Sequence, residues 1–185
     1  MATITLNTAA SLTGLSKRTL WRRVNDGLLH IQGQTEQGGH ALVLLDEVMP
    51  LSRLQLEADD FSLVLDADAG KAEAQCDLGL EFLMQGMPTE AVHWFKEAAK
   101  QRYPEALHQL GRCYITGTGI KANEALGIEH ISRAAALGHS TARHMVHYLM
   151  DPAREPLPLD ELEAQLDAIE QKVVLEVLQE TATPA

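Results

Sequence analysis

The fold is decided by two matching stretches, AQCDLGLEF at residues 74–82 and ALHQLGRCY at residues 106–114. Both place alanine, leucine, glycine and an aromatic residue at the same spacing, 32 residues apart. A weaker copy, ARHMVHYLM at residues 142–150, follows 36 residues later. It keeps the alanine but has valine, histidine and methionine where the other copies have leucine, glycine and the aromatic residue. Alanine and glycine let helix axes approach closely, and the aromatic ring fills the wider gap beyond. The spacing therefore predicts antiparallel helix pairs that stack, since one pair alone cannot bury its apolar face.

A second signature follows each of the first two copies, AVHWFKEAA at residues 91–99 and GIEHISRAA at residues 127–135. Glycine-containing turns separate the two signatures within each repeat, as paired helices require. The combined pattern resembles the SEL-type (suppressor-enhancer-of-lin-like) repeat, a relative of the tetratricopeptide repeat. The resemblance covers residues 70–150 and implies a scaffold for protein–protein contacts rather than a catalyst.

The composition agrees with a helical core. The chain has 185 residues, of which 45% are hydrophobic and only 4% aromatic, so alanine and leucine must build most of the core. Two cysteines cannot form a disulfide framework, and no Cys/His cluster has zinc-finger spacing. Apolar runs such as ALVLL at residues 41–45 are too short to span a bilayer, and residues 1–13 lack the cationic start of a signal peptide. We therefore predict a cytoplasmic protein with no membrane contact, no cofactor and no metal site.

Charge is distributed unevenly along the chain. Residues 1–58 carry five basic and five acidic groups, whereas residues 59–185 carry ten and twenty-one, so the entire net charge of −11 lies in the second part. Four cations of the first part, at positions 17, 18, 22 and 23, have no acidic residue among them. This asymmetry predicts two modules with different partners.

Residues 8–29 predict a helix, a tight turn and a second helix. Thr8 and Ser16 can cap the two helices, and Gly14 supplies the turn. The second helix extends from Lys17 to about Asn25. Its predicted inward face carries Leu20, Val24 and the ring of Trp21, and its outward face carries Arg18, Arg22 and Asn25.

The residues after this helix predict extended structure. Short runs at residues 30–32 and 41–44 are separated by a Gly/Gln-rich stretch, which is typical of a β-hairpin. A third helix is predicted from Asp46 to about Leu56.

This order, with TGLSKRTLWRRVNDGLL at residues 13–29, resembles the winged helix-turn-helix of the MerR and excisionase families. The resemblance implies that the second helix enters the DNA major groove and that the hairpin contacts the backbone or the minor groove. The DNA-binding residues it implies are Lys17, Arg18, Thr19, Arg22 and Arg23.

The hairpin departs from that family because it carries glutamines and histidines where arginines are usual, and Glu36 lies near its tip. We therefore expect weak DNA binding that needs a dimer or a helper protein. In an alternative interpretation Arg22 and Arg23 pair with Asp26, four and three residues later, and form only a solvated face.

Residues outside the repeat signature predict a binding surface. On the first helix of each repeat, the arc opposite the signature carries mixed apolar, aromatic and basic residues, as interface hot spots do. The predicted protein-binding groove consists of Leu80, His108, Arg112, His144 and Tyr148. Alternatively, some of these side chains are buried against neighbouring segments.

The C-terminal part begins with a linker. Residues 151–158 contain three prolines and cannot continue a helix. Apolar residues then recur at three- and four-residue spacing through residues 159–181, which predicts an amphipathic helix. This helix either caps the last repeat or docks in a groove or on a second chain, which would give a homodimer.

These patterns together predict a mainly α fold. It consists of a small winged helix-turn-helix domain at residues 1–58, a connecting helix or linker at 59–69, a short solenoid of paired antiparallel helices at 70–150, and the C-terminal amphipathic helix after its linker.

No nucleophile–base pair, phosphate-binding loop or carboxylate pair stands out, so we expect no enzyme. The leading hypothesis is a bacterial regulatory adaptor, a DNA-binding transcriptional regulator whose helical repeats bind a protein partner. The alternative is an interaction scaffold in bacterial signalling whose winged helix no longer binds DNA. A third class, a metal- or ligand-sensing regulator, would depend on His108 or His144.

Overall fold

The computed structural model describes residues 1–34, 39–57 and 60–182, with side chains through residue 179. Helices account for most of these residues, so the predicted mainly α class is confirmed. The chain divides into two compact units, residues 1–94 and 95–185, and the division falls within one helix. Each unit is described by itself.

The first unit begins with a small sheet and two helices. Its elements are β1 (Thr3–Thr5), α1 (Leu6–Thr13), α2 (Lys17–Asn25), β2 (Ile31–Gln34) and β3 (Ala41–Leu44). The strands form an antiparallel sheet in the order β1-β3-β2. The tip of the predicted hairpin, including Glu36, lies outside the described residues.

Local caps fix the two helices. Thr5, rather than the expected Thr8, accepts the backbone N–H of the first turn of α1, and Gly14 ends the helix at a φ of 67°. Ser16 caps α2 as predicted, with its hydroxyl 3.1 Å from the amide of Thr19. Strand β1 is absent from the sequence interpretation, since three residues are too few to show an alternating pattern.

The third helix is shorter than predicted. Helix α3 covers only Leu45–Val48, and a 3₁₀ turn at Met49–Leu51 replaces its predicted continuation to Leu56. Pro50 explains the difference, because its ring lacks the amide hydrogen that a longer helix would use.

Three further helices belong wholly or partly to this unit: α4 (Phe61–Asp68), α5 (Ala72–Met84) and α6 (Pro88–Lys100), of which residues 88–94 lie in it. Helix α4 coincides with the predicted connecting segment. The Asp68 carboxylate accepts the Thr5 hydroxyl at 2.6 Å, and the Trp94 indole N–H donates to the Ser11 hydroxyl at 2.9 Å. The compact unit therefore extends beyond residue 58 to include α4, α5 and the first half of α6.

The second unit contains the end of α6 and helices α7 (Pro104–Thr116), α8 (Glu124–Ala136), α9 (Ser140–Leu149) and α10 (Leu159–Ala182). Helices α7 and α8 cross closely at Gly111 and Gly127. A Cβ atom added at Gly111 would lie 2.5 Å from the Ile131 side chain and 2.9 Å from the Gly127 carbonyl oxygen. The glycine of the repeat signature is therefore required by the approach of two backbones.

The C-terminal helix packs against α9. Leu162, Leu166 and Val173 of its apolar stripe are buried, whereas Leu159 and Val177 at the two ends of the stripe are each 49% exposed. The preceding linker is fixed by Arg154, which forms an ion pair with Glu124 at 2.5 Å. None of the helices described here is sufficiently long and apolar to cross a membrane.

Candidate interaction surfaces

Helix α2 presents its cations to solvent. Lys17, Arg18 and Arg22 are exposed, and Arg23 and Thr19 are half-buried. Within residues 1–34, 39–57 and 60–182, none of the four cations forms an ion pair. The alternative in which Asp26 neutralises this face is therefore not what the structure shows.

The predicted inward position of Trp21 is wrong. Its side chain is 44% exposed and lines a shallow depression together with Arg18, Thr19, Arg22 and Asn25. Trp21 is one residue, or 100°, from buried Leu20, so it lies at the border between the two faces. The ring therefore adds apolar surface to the depression that Arg18 and Arg22 also line.

The predicted exposure of His108 in a groove is also wrong. His108 is 1% exposed on α7, where its Nε2 lies 3.3 Å from the Met145 sulfur and its ring lies 4.5 Å from that of His139. A partner protein cannot reach a side chain buried between α7 and α9. The burial alternative therefore holds at this position.

Glu105, His108 and His139 form the group with metal-ligand chemistry among the described residues, with their ligand atoms within 4.8 Å of one another. The His139 Nδ1 accepts the amide of Ala142 at 3.1 Å and caps α9, so its proton is on Nε2. That Nε2 donates to Glu105 at 2.8 Å. A metal would need the same Nε2 without its proton, so the geometry fits a hydrogen-bonded link between helices better than a metal site.

The electrostatics of this link favour an ionised carboxylate. The imidazoles of His108 and His139 facing Glu105 hold the pKa of its carboxyl well below the usual value of 4.5. The Gln109 amide also donates to Glu105 at 2.8 Å. The group therefore joins α7 to the start of α9 through a charge that is present at neutral pH.

Arg112, another predicted groove residue, forms ion pairs within the chain. Its guanidinium donates to Glu170 at 2.5 Å and also pairs with Asp167, and its side chain is only 18% exposed. Both carboxylates belong to α10. The C-terminal helix therefore covers this part of the predicted surface, which combines the capping and groove-docking alternatives within one chain.

The remaining predicted positions are accessible to different extents. His144 is exposed on α9 and Tyr148 is half-buried; Leu80 is half-buried in the other unit. His144 and Tyr148 line a cleft of about 570 Å³ between α9 and α10, together with Arg143, His147, Gln165, Ile169 and Lys172. Sequence reasoning missed Arg143 and Lys172, since only the docking of α10 brings them to one cleft.

The two cysteines are shielded from solvent. Cys76 and Cys113 are both buried, and burial raises the pKa of the Cys113 thiol to about 11. Thiolate chemistry at neutral pH is therefore disfavoured at Cys113.

Comparison with known proteins supports the repeats. The Sel1 repeat family matches residues 72–103 and 104–139. An uncharacterized protein of Neisseria meningitidis serogroup B is 37% identical over 55 residues, which are 30% of this chain and only 12% of that relative. A crystal structure of a Sel1 repeat protein from Oxalobacter formigenes is 24% identical, with coverage of 77% of this chain and 89% of that chain and a TM-score of 0.44.

The family match supports the first two predicted repeats as Sel1-type helical repeats. The degraded third copy, on α9, lies beyond the matched ranges. The resemblance of residues 1–58 to a winged helix-turn-helix stays a prediction.

Proposed function

We propose that the protein is a non-enzymatic interaction scaffold whose helical repeats bind a protein partner. The observation that carries this proposal is the Sel1 match at residues 72–103 and 104–139. The surface that follows the matched repeats supports it, because His144 on α9 is exposed and half-buried Tyr148 lines the same cleft beside α10. Tyrosine and arginine side chains around such a cleft are typical of interface hot spots.

A photocrosslinking amino acid placed at His144 in the native host tests this proposal. We expect one discrete set of crosslinked proteins from this position. The matched control is the same amino acid at Glu129, an exposed position on α8 of the same unit. Identical products from both positions, or none from His144, would contradict the scaffold.

A specific observation also favours a second candidate, DNA binding by α2. The exposed guanidinium groups of Arg18 and Arg22 have no ion-pair partner in the described part of the chain, and Trp21 lies beside them. This agrees with the cationic recognition helix that the winged-helix resemblance implies. Three or four phosphate contacts would give only weak binding, and the logarithm of the binding constant would fall with the logarithm of salt concentration with a slope of roughly −3 to −4.

Selection from a random duplex DNA library tests the second candidate. The wild-type chain should enrich a defined sequence, and Arg18→Glu/Arg22→Glu should enrich none. The control Lys121→Glu/Arg133→Glu carries the same charge change at two exposed positions of the other unit and should behave as wild type. If the wild type enriches no sequence, α2 does not read DNA and the scaffold alone remains.

A further inference from the structure

The cleft between α9 and α10 has the dimensions and walls of a binding site. Its volume of about 570 Å³ lies within the usual range for ligand sites. One wall comes from α9 and the other from α10, so both walls are regular helices rather than loops. The lining combines basic, aromatic and aliphatic side chains, chiefly Arg143, His144, His147, Tyr148, Ile169 and Lys172.

The charge of this cleft is opposite to that of the chain around it. No carboxylate is among the described side chains that line it, although residues 59–185 carry twenty-one acidic groups against ten basic ones. Arg143 has no ion-pair partner in the described ranges, which leaves its guanidinium available. Lys172 has Glu176 at 3.9 Å on its own helix, and both are well exposed, so their attraction is weak.

The ion pairs of Arg112 show that this unit already binds carboxylates of a helix. Arg112 takes two carboxylates, Asp167 and Glu170, which lie three residues apart on α10. An acidic helix therefore already docks through carboxylate–guanidinium pairs. Arg143 and Lys172 offer two further cations to carboxylates, and Tyr148 and Ile169 add apolar surface to the lining of the cleft.

We propose that the cleft between α9 and α10 binds an acidic peptide segment of a partner protein. Its carboxylates meet Arg143 and Lys172, and an apolar side chain of the segment rests on Tyr148 and Ile169. This inference rests on the proposed scaffold function and names the chemistry of its partner. The described lining, cationic and without a carboxylate, gives the cleft a local positive potential, to which a short acidic segment is complementary.

Fluorescence anisotropy with the full-length chain tests this inference. The probe is a fluorescein-labelled peptide of sequence EELEEL, and its uncharged counterpart is QQLQQL. We expect EELEEL to bind at least about tenfold more tightly than QQLQQL, with an affinity that falls as salt increases. Equal affinity for the two peptides would overturn the inference, because carboxylates would then contribute nothing.

Matched variants locate the site. Arg143→Glu/Lys172→Glu should weaken EELEEL binding by about tenfold or more, and the milder Arg143→Gln/Lys172→Gln should weaken it less. Lys121→Glu/Arg133→Glu and Arg18→Glu/Arg22→Glu carry the same charge change elsewhere and should retain binding. Loss of binding in Arg18→Glu/Arg22→Glu alone would place the peptide on α2 and overturn the inference, and circular dichroism checks that each variant is folded.

Three further outcomes distinguish the kind of ligand and show which of the two proposals fails. If millimolar inorganic phosphate displaces EELEEL completely, the cleft is a small-anion site and the peptide assignment is overturned. If EELEEL does not bind while the crosslink at His144 persists, the acidic chemistry is wrong and the scaffold stands. If both fail, the scaffold fails as well.

Discussion

Helix α2 and helix α7 use the same chemical group in opposite ways. The guanidinium of Arg112 on α7 is 18% exposed and held by two carboxylates of α10, whereas Arg18 and Arg22 on α2 are exposed and have no ion-pair partner in the described ranges. In a chain of net charge −11, carboxylates to pair with a cation are plentiful. Arg112 therefore joins α7 to α10, whereas the side chains of Arg18 and Arg22 face solvent.

The contrast between Arg112 and the α2 cations depends first on the close crossing of α7 and α8 at Gly111. We expect Gly111→Ala to lower the free energy of unfolding by about 2 kcal/mol, because the new methyl group collides with Ile131 and the backbone of α8. Urea unfolding followed by far-UV circular dichroism measures this. The exposed substitution Glu129→Ala on α8 should change it by less than about 0.5 kcal/mol. An equal effect of both substitutions would mean that the crossing is looser than described.

The structural role of Arg112 can be isolated by a double-mutant cycle. Arg112→Ala combined with Asp167→Asn/Glu170→Gln should give a coupling energy of about 1 kcal/mol, since the carboxylates are partly exposed. Amide hydrogen exchange in α10 should accelerate in the same variants, because the helix loses its anchor on α7. Additive effects would show that the Arg112 ion pairs do not hold α10. Arg112 would then contribute no more to the fold than the exposed arginines of α2 do.

Ionisation of Glu105 should make the stability of the second unit depend on pH. Because its folded-state pKa is depressed below 4.5, its ionised form stabilises the fold above about pH 4.5, and this contribution is lost as pH falls through the lower folded-state pKa. The difference in urea midpoint between wild type and Glu105→Gln should therefore be present at neutral pH and shrink in acid. Since the side chain is 38% exposed, solvent screens its interactions and we expect an effect of at most about 1 kcal/mol. A difference that does not change with pH, or that Glu129→Gln reproduces, would count against this role.

The smallest effect is expected on α2. Arg18→Ala/Arg22→Ala should change the free energy of unfolding of the first unit by no more than about 0.5 kcal/mol, because neither side chain holds a partner within the described residues. Tryptophan fluorescence reports on this unit specifically, since both tryptophans, Trp21 and Trp94, lie in it. A loss of 1 kcal/mol or more would mean that these cations serve the fold.

The sequence was most informative where local spacing and close packing coincide. The alanine–leucine–glycine spacing predicted the helical repeats because only glycine fits where two helix backbones cross this closely. Helix boundaries near caps were also predictable, as Ser16 of α2 shows. Trp21 was misplaced because helical periodicity assigns a border residue to neither face, and only packing decides.

The helices, the repeats and the uneven charge could be predicted from the residues alone, because these features depend on near neighbours along the chain. The location in the cytoplasm, the homodimer and the DNA contact stay predictions. Three features follow only from contacts between helices: α10 pairs with Arg112, His108 is buried, and Arg143 and Lys172 line one cleft. Each of these facts joins residues of different helices, and amphipathic periodicity specifies which face of a helix is covered but not what covers it.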